Sequence, residues 1–349
     1  MRLDTFLEMF RSGRLLLLAR ASGLATPFYR VCFLAGLSTS GLLEALRNGP
    51  GRLEELADRL GVEPGLRSSL EAWLDFGVRL GELRRGPGGY SLRSSLAKHL
   101  AEPEHDDVAA LFEEIASMHH LFITQLPARL SDGALFTLQD QDGTIVARSS
   151  RTLEPLVREA VDQAVPIAGP LRLLEVGCGS GVYLRHAALR NPELSALGLE
   201  LQPEVAEVAR RNLADWGITG RIRVEQGDVR DLHPGPNYDL VTLHNNIYYF
   251  PMEERVELLR HLRGFLRSGG SLLLTTGCRG GTPVMEMLNL WGAATQGCGP
   301  LPAPEEQVEQ LREAGYSDVR ATSLVPGDRY YFFLARNPDG GKSAPGDFS

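Results

Sequence analysis

Leu173-Leu174-Glu175-Val176-Gly177-Cys178-Gly179-Ser180-Gly181 decides how this chain is read. An apolar run ends in glycines spaced GxGxG, and a helical stretch from Val182 to Arg190 follows. Glycines directly after a strand and before a helix leave bare backbone at the carboxyl edge of a sheet, where a ligand can lie against it. The dinucleotide fingerprint is GxGxxG, and it rests a pyrophosphate on the helix N-terminus. Here the spacing is shorter, and Glu175 stands two residues before the first glycine. A carboxylate at that place repels a pyrophosphate. It suits a ligand that carries an ammonium or sulfonium group.

Outward from this segment the chain alternates strands and helices, the signature of a parallel α/β sheet. Leu171–Val176, Ser195–Glu200, Ile222–Glu225, Tyr238–Leu243 and Ser271–Thr275 read as strands, with helices over 182–190 and 203–216. Val319–Thr322 and Tyr330–Leu334 read as a closing hairpin. Two further carboxylates stand where a nucleoside needs them. Glu200 ends the second strand, 21 residues past Gly179, near the roughly 20-residue offset of a ribose-binding acid. Asp228 follows the third strand, placed to accept a hydrogen bond from an adenine amine. A lone Glu at a strand end is ordinarily a solvated edge, and a lone Gly-Asp a turn. Three acids at successive strand ends, with the charge logic of Glu175, point to S-adenosylmethionine rather than NAD.

With these motifs, residues 170–336 resemble the class I S-adenosylmethionine-dependent methyltransferases. The resemblance implies an α/β fold, a Rossmann-like seven-stranded sheet with an antiparallel last strand. It puts Glu175, Gly177, Gly179 and Gly181 along the methionine end of the cofactor and Glu200 on the ribose hydroxyls, with Leu201 beside it. Asp228 and Val229 would hold the adenine, and the backbone near His244 and Asn245 the amino group. The whole architecture resembles the dimeric small-molecule O-methyltransferases of plant and bacterial secondary metabolism, which pair this domain with an N-terminal winged-helix dimerisation domain. Many of these carry a His-Asp-Trp segment after the fourth strand, with the histidine as general base. Aligned on it, Leu243-His244-Asn245-Asn246-Ile247-Tyr248-Tyr249 places Tyr248, not histidine, at the base position. His244 and Tyr248 are therefore both candidates for handling a proton, with Asn246 and Tyr249 as acceptor contacts.

Further candidates for the acceptor side lie on two helices. Met285, Met287, Leu288 and Trp291 recur at helical spacing, which fits an apolar wall for an acceptor and equally an amphipathic helix packed on its neighbours. His119 and His120 are adjacent, so on one α-helix they diverge by about 100° and cannot chelate one metal. One of them facing substrate, or one packed and one exposed, are both open. No metal site is expected.

The N-terminal third is helical. Short helices over 41–46, 52–61 and 64–80 precede a strand-turn-strand over 82–92, a winged-helix pattern. Its third helix sets Arg67 and Arg79 against Glu63, Glu71 and Asp75, and Arg84-Arg85 is the one basic doublet of the wing. With a formal net charge of −8, this disfavours a chain built to grip nucleic acid. Apolar stretches over 6–20 and 28–37 are expected to be buried on most sides, against a second copy of the chain. The expected division is a dimerisation domain over 1–100, a helical connector and substrate lid over 101–165, the cofactor domain over 166–336, and a polar tail over 337–349 that frays. The 349 residues exceed the roughly 150 of one domain.

Four cysteines without CxxC spacing fit a reducing cytoplasm. The apolar run Leu15–Ala19 is too short and too interrupted by arginine for a clean signal peptide, and no stretch is long enough to span a bilayer. The expectation is a cytoplasmic, homodimeric methyltransferase acting on a small, partly apolar metabolite, with oxygen as the methylated atom. Nitrogen or carbon as the target, non-methylating chemistry on the same fold, and a winged-helix DNA-binding regulator are the competing readings.

Overall fold

The computed structural model describes residues 3–338. Two compact units emerge, residues 1–124 with 141–152, and residues 125–140 with 153–349. The stretch 101–165, expected as one connector, is thus shared between them.

The first unit begins with α1 (Leu3–Arg11) and α2 (Arg14–Thr39). The sequence suggests two separate apolar helices here; the structure carries α2 unbroken through Pro27. Proline removes one donor from a helix interior, and the carbonyl it frees, on Gly23, lies on an exposed stretch where water can take it. Nor is this segment buried on most sides within the protomer: Phe10, Leu17 and Leu24 are 67%, 67% and 79% exposed. Only its C-terminal part, from Phe33 on, enters a core. There Phe33, Leu34 and Leu37 meet α3 (Leu42–Arg47), α4 (Leu53–Arg59) and α5 (Arg67–Leu80), closed by the hairpin β1 (Leu83–Gly86) and β2 (Gly89–Leu92). The Tyr90 hydroxyl donates to Asp75 at 2.8 Å. Arg85 of the wing pairs with Glu71 at 2.7 Å and Asp75 at 3.4 Å. Half of the wing's basic doublet is thereby neutralised by the helix beside it.

After α6 (Ser95–Leu100), α7 (Asp106–Glu114) runs into a π-helical turn, Ile115–His119, before α8 (His120–Ser131). The short α9 (Gly143–Ser149) packs on α7 through Arg148, which reaches Asp106 at 2.6 Å and Glu113 at 2.8 Å.

The second unit is built on one seven-stranded sheet. Its strands are β3 (Leu171–Val176), β4 (Leu194–Glu200), β5 (Ile222–Gln226), β6 (Tyr238–His244), β7 (Leu266–Gly277), β8 (Ser317–Ser323) and β9 (Tyr330–Arg336), in the order β5-β4-β3-β6-β7-β9-β8. The first five are mutually parallel, and β9 is antiparallel to both β7 and β8. The strands are near-continuous apolar runs, as burial on both faces demands: Leu173, Leu174, Leu240, Val241, Leu272, Leu273 and Leu274 are all fully buried. The intervening helices are α10 (Glu154–Ala164), α11 (Val182–Arg190), α12 (Pro203–Asp215), α13 (Arg255–Arg263), α14 (Pro283–Ala294) and α15 (Pro304–Glu313). Of the expected polar tail, Asn337 is tied to the sheet, donating to the carbonyls of Leu266 and Arg267 at 3.0 and 3.1 Å; residues from 339 on lie outside the described residues. Among the described residues no helix is long and apolar enough to cross a membrane.

The chain winds outward from β3 through β4 to β5, then returns to β6 on the other side of β3. The carboxyl ends of β3 and β6 are therefore the point where successive connections diverge, the usual ligand crevice of such sheets.

Gly77 gives a direct test of the first unit's packing. A Cβ there would stand 2.1 Å from the Phe33 ring. Alanine is favoured over glycine in a helix by about 1 kcal/mol, yet overpacking costs about 1–3 kcal/mol. Gly77→Ala is expected to lower stability in denaturant unfolding; a gain would mean that Phe33 is free to shift.

Candidate functional site: a carboxylate-lined crevice at the β3–β6 divide

Glu175 is the organising residue. It lies in register between Gly198 of β4 and Thr242 of β6, 1% exposed, with one carboxylate oxygen lacking any partner. Burial and the neighbouring Glu200 charge both push its pKa well above the ordinary carboxylate range. Two more buried polar atoms on the adjacent strand are also unpartnered, Thr242 Oγ1 and His244 Nε2. A buried polar atom without a hydrogen-bond partner is costly. Three of them at the end of two neighbouring strands mark a place shaped for something else.

The glycine loop stands over this spot. Gly177, Gly179 and Gly181 all have left-handed φ values, 67°, 54° and 82°. At Gly177 space is as restricted as torsion, because a Cβ would meet the Asn246 amide at 2.2 Å. The amides of Gly177 and Cys178 donate to the Leu199 carbonyl at 2.8 and 3.0 Å, which ties the loop to β4. Gly198 permits this approach: a Cβ there would lie 2.8 Å from the Cys178 sulfur.

Glu200 closes the next strand. One of its oxygens accepts from the Gly179 amide at 2.9 Å and the other from the Gln202 amide at 3.1 Å. The Leu201 side chain after it is half exposed, an apolar surface left uncovered beside the carboxylate. Asp228, after β5, accepts from the Arg230 amide at 2.9 Å and from its guanidinium at 2.6 Å. That guanidinium holds the Asp228 carboxyl below the usual range. Val229 is buried, its carbonyl 2.8 Å from His261 Nε2. The three sequence-derived acids and the three glycines thus line one edge of the sheet.

On the β6 side, His244 is buried, its Nδ1 3.1 Å from the Thr275 hydroxyl and its ring edge-on to Tyr183. Burial pulls its pKa down to about 3, so the imidazole is neutral and a feeble proton acceptor at neutral pH. Asn245 is one of two non-glycine residues with positive φ among those described, at 53°. Asn246, expected as an acceptor contact, donates through its amide nitrogen to the carbonyls of Val176, Gly177 and His244 at 3.2, 3.3 and 3.0 Å. It clasps the ends of β3 and β6 together.

Beyond it the chain turns into an aromatic cluster. The rings of Tyr248 and Tyr249 lie 5.8 and 5.3 Å from Trp291 of α14, and 5.2 Å from each other. Met285, Met287 and Trp291 are each only 8% exposed, whereas Leu288 is partly open. Tyr248, the residue at the expected base position, is largely buried in this cluster. His119 and His120 belong to the other unit: His119 Nε2 is 3.0 Å from Glu114, at the end of the π-helical turn, and His120 Nδ1 is buried without a partner.

Two residues that sequence reading did not single out hold the β6 side in place. Arg255 is fully buried and donates to the carbonyls of Phe250 and Pro300 at 3.0 and 2.8 Å. After Glu253-Glu254 it reads as part of a solvated helix face. Tyr330 donates to Asn245 Oδ1 at 2.8 Å, and in the run Tyr330-Tyr331-Phe332-Phe333 nothing separates it from strand packing.

Residues 173–270 match the model of a methyltransferase domain. A curated relative, the 3-hydroxy-5-methyl-1-naphthoate 3-O-methyltransferase of Streptomyces sahachiroi, is 26% identical over 87% of this chain and 91% of its own. Among solved structures, that of a mitomycin 7-O-methyltransferase aligns with a TM-score of 0.76 at 18% identity, over 93% of this chain and 99% of the other. Human N-acetylserotonin methyltransferase, in complex with S-adenosylmethionine, aligns with a TM-score of 0.73 at 17% identity, over 92% and 98%.

The raised pKa of Glu175 has a consequence for stability. In the unfolded chain a glutamate titrates near ~4.3; in the folded, ligand-free chain it stays protonated to higher pH. Its contribution is whole below the unfolded value and is lost as pH rises toward the folded one. Thermal midpoints without ligand should therefore fall for the wild type relative to Glu175→Gln between pH 4.5 and 8. Parallel profiles would mean that the carboxyl titrates as if solvated.

Proposed function

We propose that this chain, a class I S-adenosylmethionine-dependent methyltransferase, delivers the methyl group to an oxygen of a small, partly apolar metabolite of the secondary-metabolite type. The observation that carries the reading is the unpartnered, buried carboxyl of Glu175 beneath a left-handed glycine loop, with Glu200 and Asp228 at the next two strand ends. These residues fit the cofactor. Glu175 answers its positive charge, Glu200 offers acceptors to the ribose diol, Leu201 and Val229 flank an adenine, and Asp228 accepts from its amine. S-adenosylmethionine, when bound, supplies an electrophilic methyl on a sulfonium. The glycine loop lets main chain approach the ligand, and the Asn246 clasp keeps the two strand ends at a constant separation.

On the acceptor side, Tyr248, Tyr249 and Trp291 form an aromatic wall, continued by Met285 and Leu288. Transfer is an in-line displacement on an already activated carbon, so orientation supplies much of the acceleration. A general base would add about 10²- to 10⁴-fold where the acceptor must lose a proton. His244, neutral and shielded, serves better as a rigid support for the β6 terminus than as that base. An acidic hydroxyl such as a phenol needs the least help, and the 3-hydroxy-5-methyl-1-naphthoate 3-O-methyltransferase and the mitomycin 7-O-methyltransferase, both aligned over most of this chain, are O-methyltransferases by name. The regulator reading loses support from Arg85, whose charge is committed to Glu71 and Asp75.

Phe10, Leu17, Leu18, Leu24 and Phe28 on α1 and α2 are each at least 48% exposed in the protomer. Exposed apolar side chains gathered on these two helices support a homodimer joined through them. All four cysteines are unpaired, which supports a cytoplasmic setting.

Calorimetric titration is expected to give saturable binding of S-adenosylmethionine and S-adenosylhomocysteine and none of NAD. Glu200→Ala removes a charged acceptor and the anchor of the Gly179 amide, which should weaken binding at least tenfold. Undiminished affinity in that variant would discard the ribose assignment. For the dimer, Leu17→Asp with Leu24→Asp should convert the sedimenting species from two copies to one. A wild type that already sediments as a monomer refutes the assembly.

A further inference from the structure

The junction between the two sides of the crevice is a single strained residue. Asn245 follows His244 at the end of β6 with φ 53°, in the left-handed region that glycine enters freely and other residues, asparagine the least reluctant among them, enter at a cost. Such a residue persists only where its surroundings over-determine it. The chain before it carries the cofactor-facing β6 terminus; after it come the Asn246 clasp and the Tyr248–Tyr249 wall. The direction of this one residue sets how the two are placed.

Two bonds hold it. Its amide donates to the Thr275 carbonyl of β7 at 2.8 Å. Its side-chain oxygen accepts from the Tyr330 hydroxyl at 2.8 Å. Tyr330 belongs to β9, so this phenol reaches from the antiparallel strand, past β7, to the end of β6. The same hydroxyl interacts with Thr275, whose own Oγ1 lies 3.1 Å from His244 Nδ1. Tyr330 is 1% exposed, and a phenol at such depth needs partners. A core tyrosine could find them on any carbonyl. This one takes the side chain of the strained residue and the threonine that braces the neighbouring histidine.

We propose that Tyr330 is a positioning residue for methyl transfer, holding Asn245 in its left-handed turn so that the cofactor end of β6 and the aromatic wall keep their mutual placement. This rests on the reading of the crevice as the methyl-transfer site, and adds to it a residue outside the cofactor and acceptor contacts. The antiparallel strand β9 thereby acts on the reaction through the junction, not only as a layer of the sheet.

A double-mutant cycle tests it, read as cofactor affinity by calorimetry and as kcat and KM once an acceptor is in hand. Tyr330→Phe keeps the ring and removes the hydroxyl; it should weaken S-adenosylmethionine binding about tenfold and lower kcat as well. Glycine adopts a positive φ without strain, so in an Asn245→Gly background the same change should alter affinity by less than about twofold. A merely structural Tyr330 would cost the same in both backgrounds. That result, or wild-type affinity in Tyr330→Phe, overturns the proposal. Where Tyr330→Phe does not fold, Asn245→Gly and Asn245→Ala decide it: glycine should retain more affinity than alanine, and the reverse order refutes the inference. If the wild type itself fails to bind S-adenosylmethionine, it is the reading of the crevice that falls, and this inference with it.

Discussion

A carboxyl group in the middle of a parallel sheet must be answered by something. In this chain Glu175 has a glycine on one side, a threonine hydroxyl on the other and no cation in contact. The unpaired charge is costly there, so burial and the nearby Glu200 raise the pKa of the carboxyl, and one of its oxygens has no hydrogen-bond partner. Every other feature of the crevice serves that arrangement. The glycine loop leaves room above the carboxyl, Gly198 leaves room for the loop, and Glu200 pins the loop by its backbone. The site is thus an expense the fold sustains with its large apolar sheet.

Much of this was legible in the sequence, for a definable reason. Strands buried on both faces leave continuous apolar runs, and each expected strand of the sheet has its counterpart, to within a few residues at the ends. Glycines that need positive φ, and acids at strand ends, also leave marks, because no other residue type does the same work. The residues the fold recruits from a distance left none. Arg255 reads as one more charge on a polar helix, and its burial depends on two carbonyls that the chain brings from residues 250 and 300. Tyr330 lies 85 residues from Asn245, and nothing local distinguishes it from Tyr331 beside it.

The helical part shows what a hydrophobic pattern leaves open. The apolar stretches over 6–20 and 28–37 suggest burial against a second copy of the chain, and the structure leaves most of that surface, up to residue 32, open within the protomer. Hydrophobic pattern reports that a face wants to be covered, not which chain covers it. Asn246 is a second case. Its position after the fourth parallel strand suggests an acceptor contact, yet three backbone carbonyls already engage its amide. Spacing locates a residue at a site without saying whether its polar atoms remain available.

Arg255 grips the segment behind the aromatic wall through the main-chain carbonyls of Phe250 and Pro300. Carbonyls are common to all amino acids, so this part of the grip is indifferent to side-chain identity; the contact of the Arg255 guanidinium with the Met252 sulfur is the part that depends on one. The wall can change its residues through mutation while the loop that displays them keeps its course. Exchange of a ring at Tyr248 or Tyr249 would therefore alter the surface that the cluster presents and leave the main chain beneath it held as before.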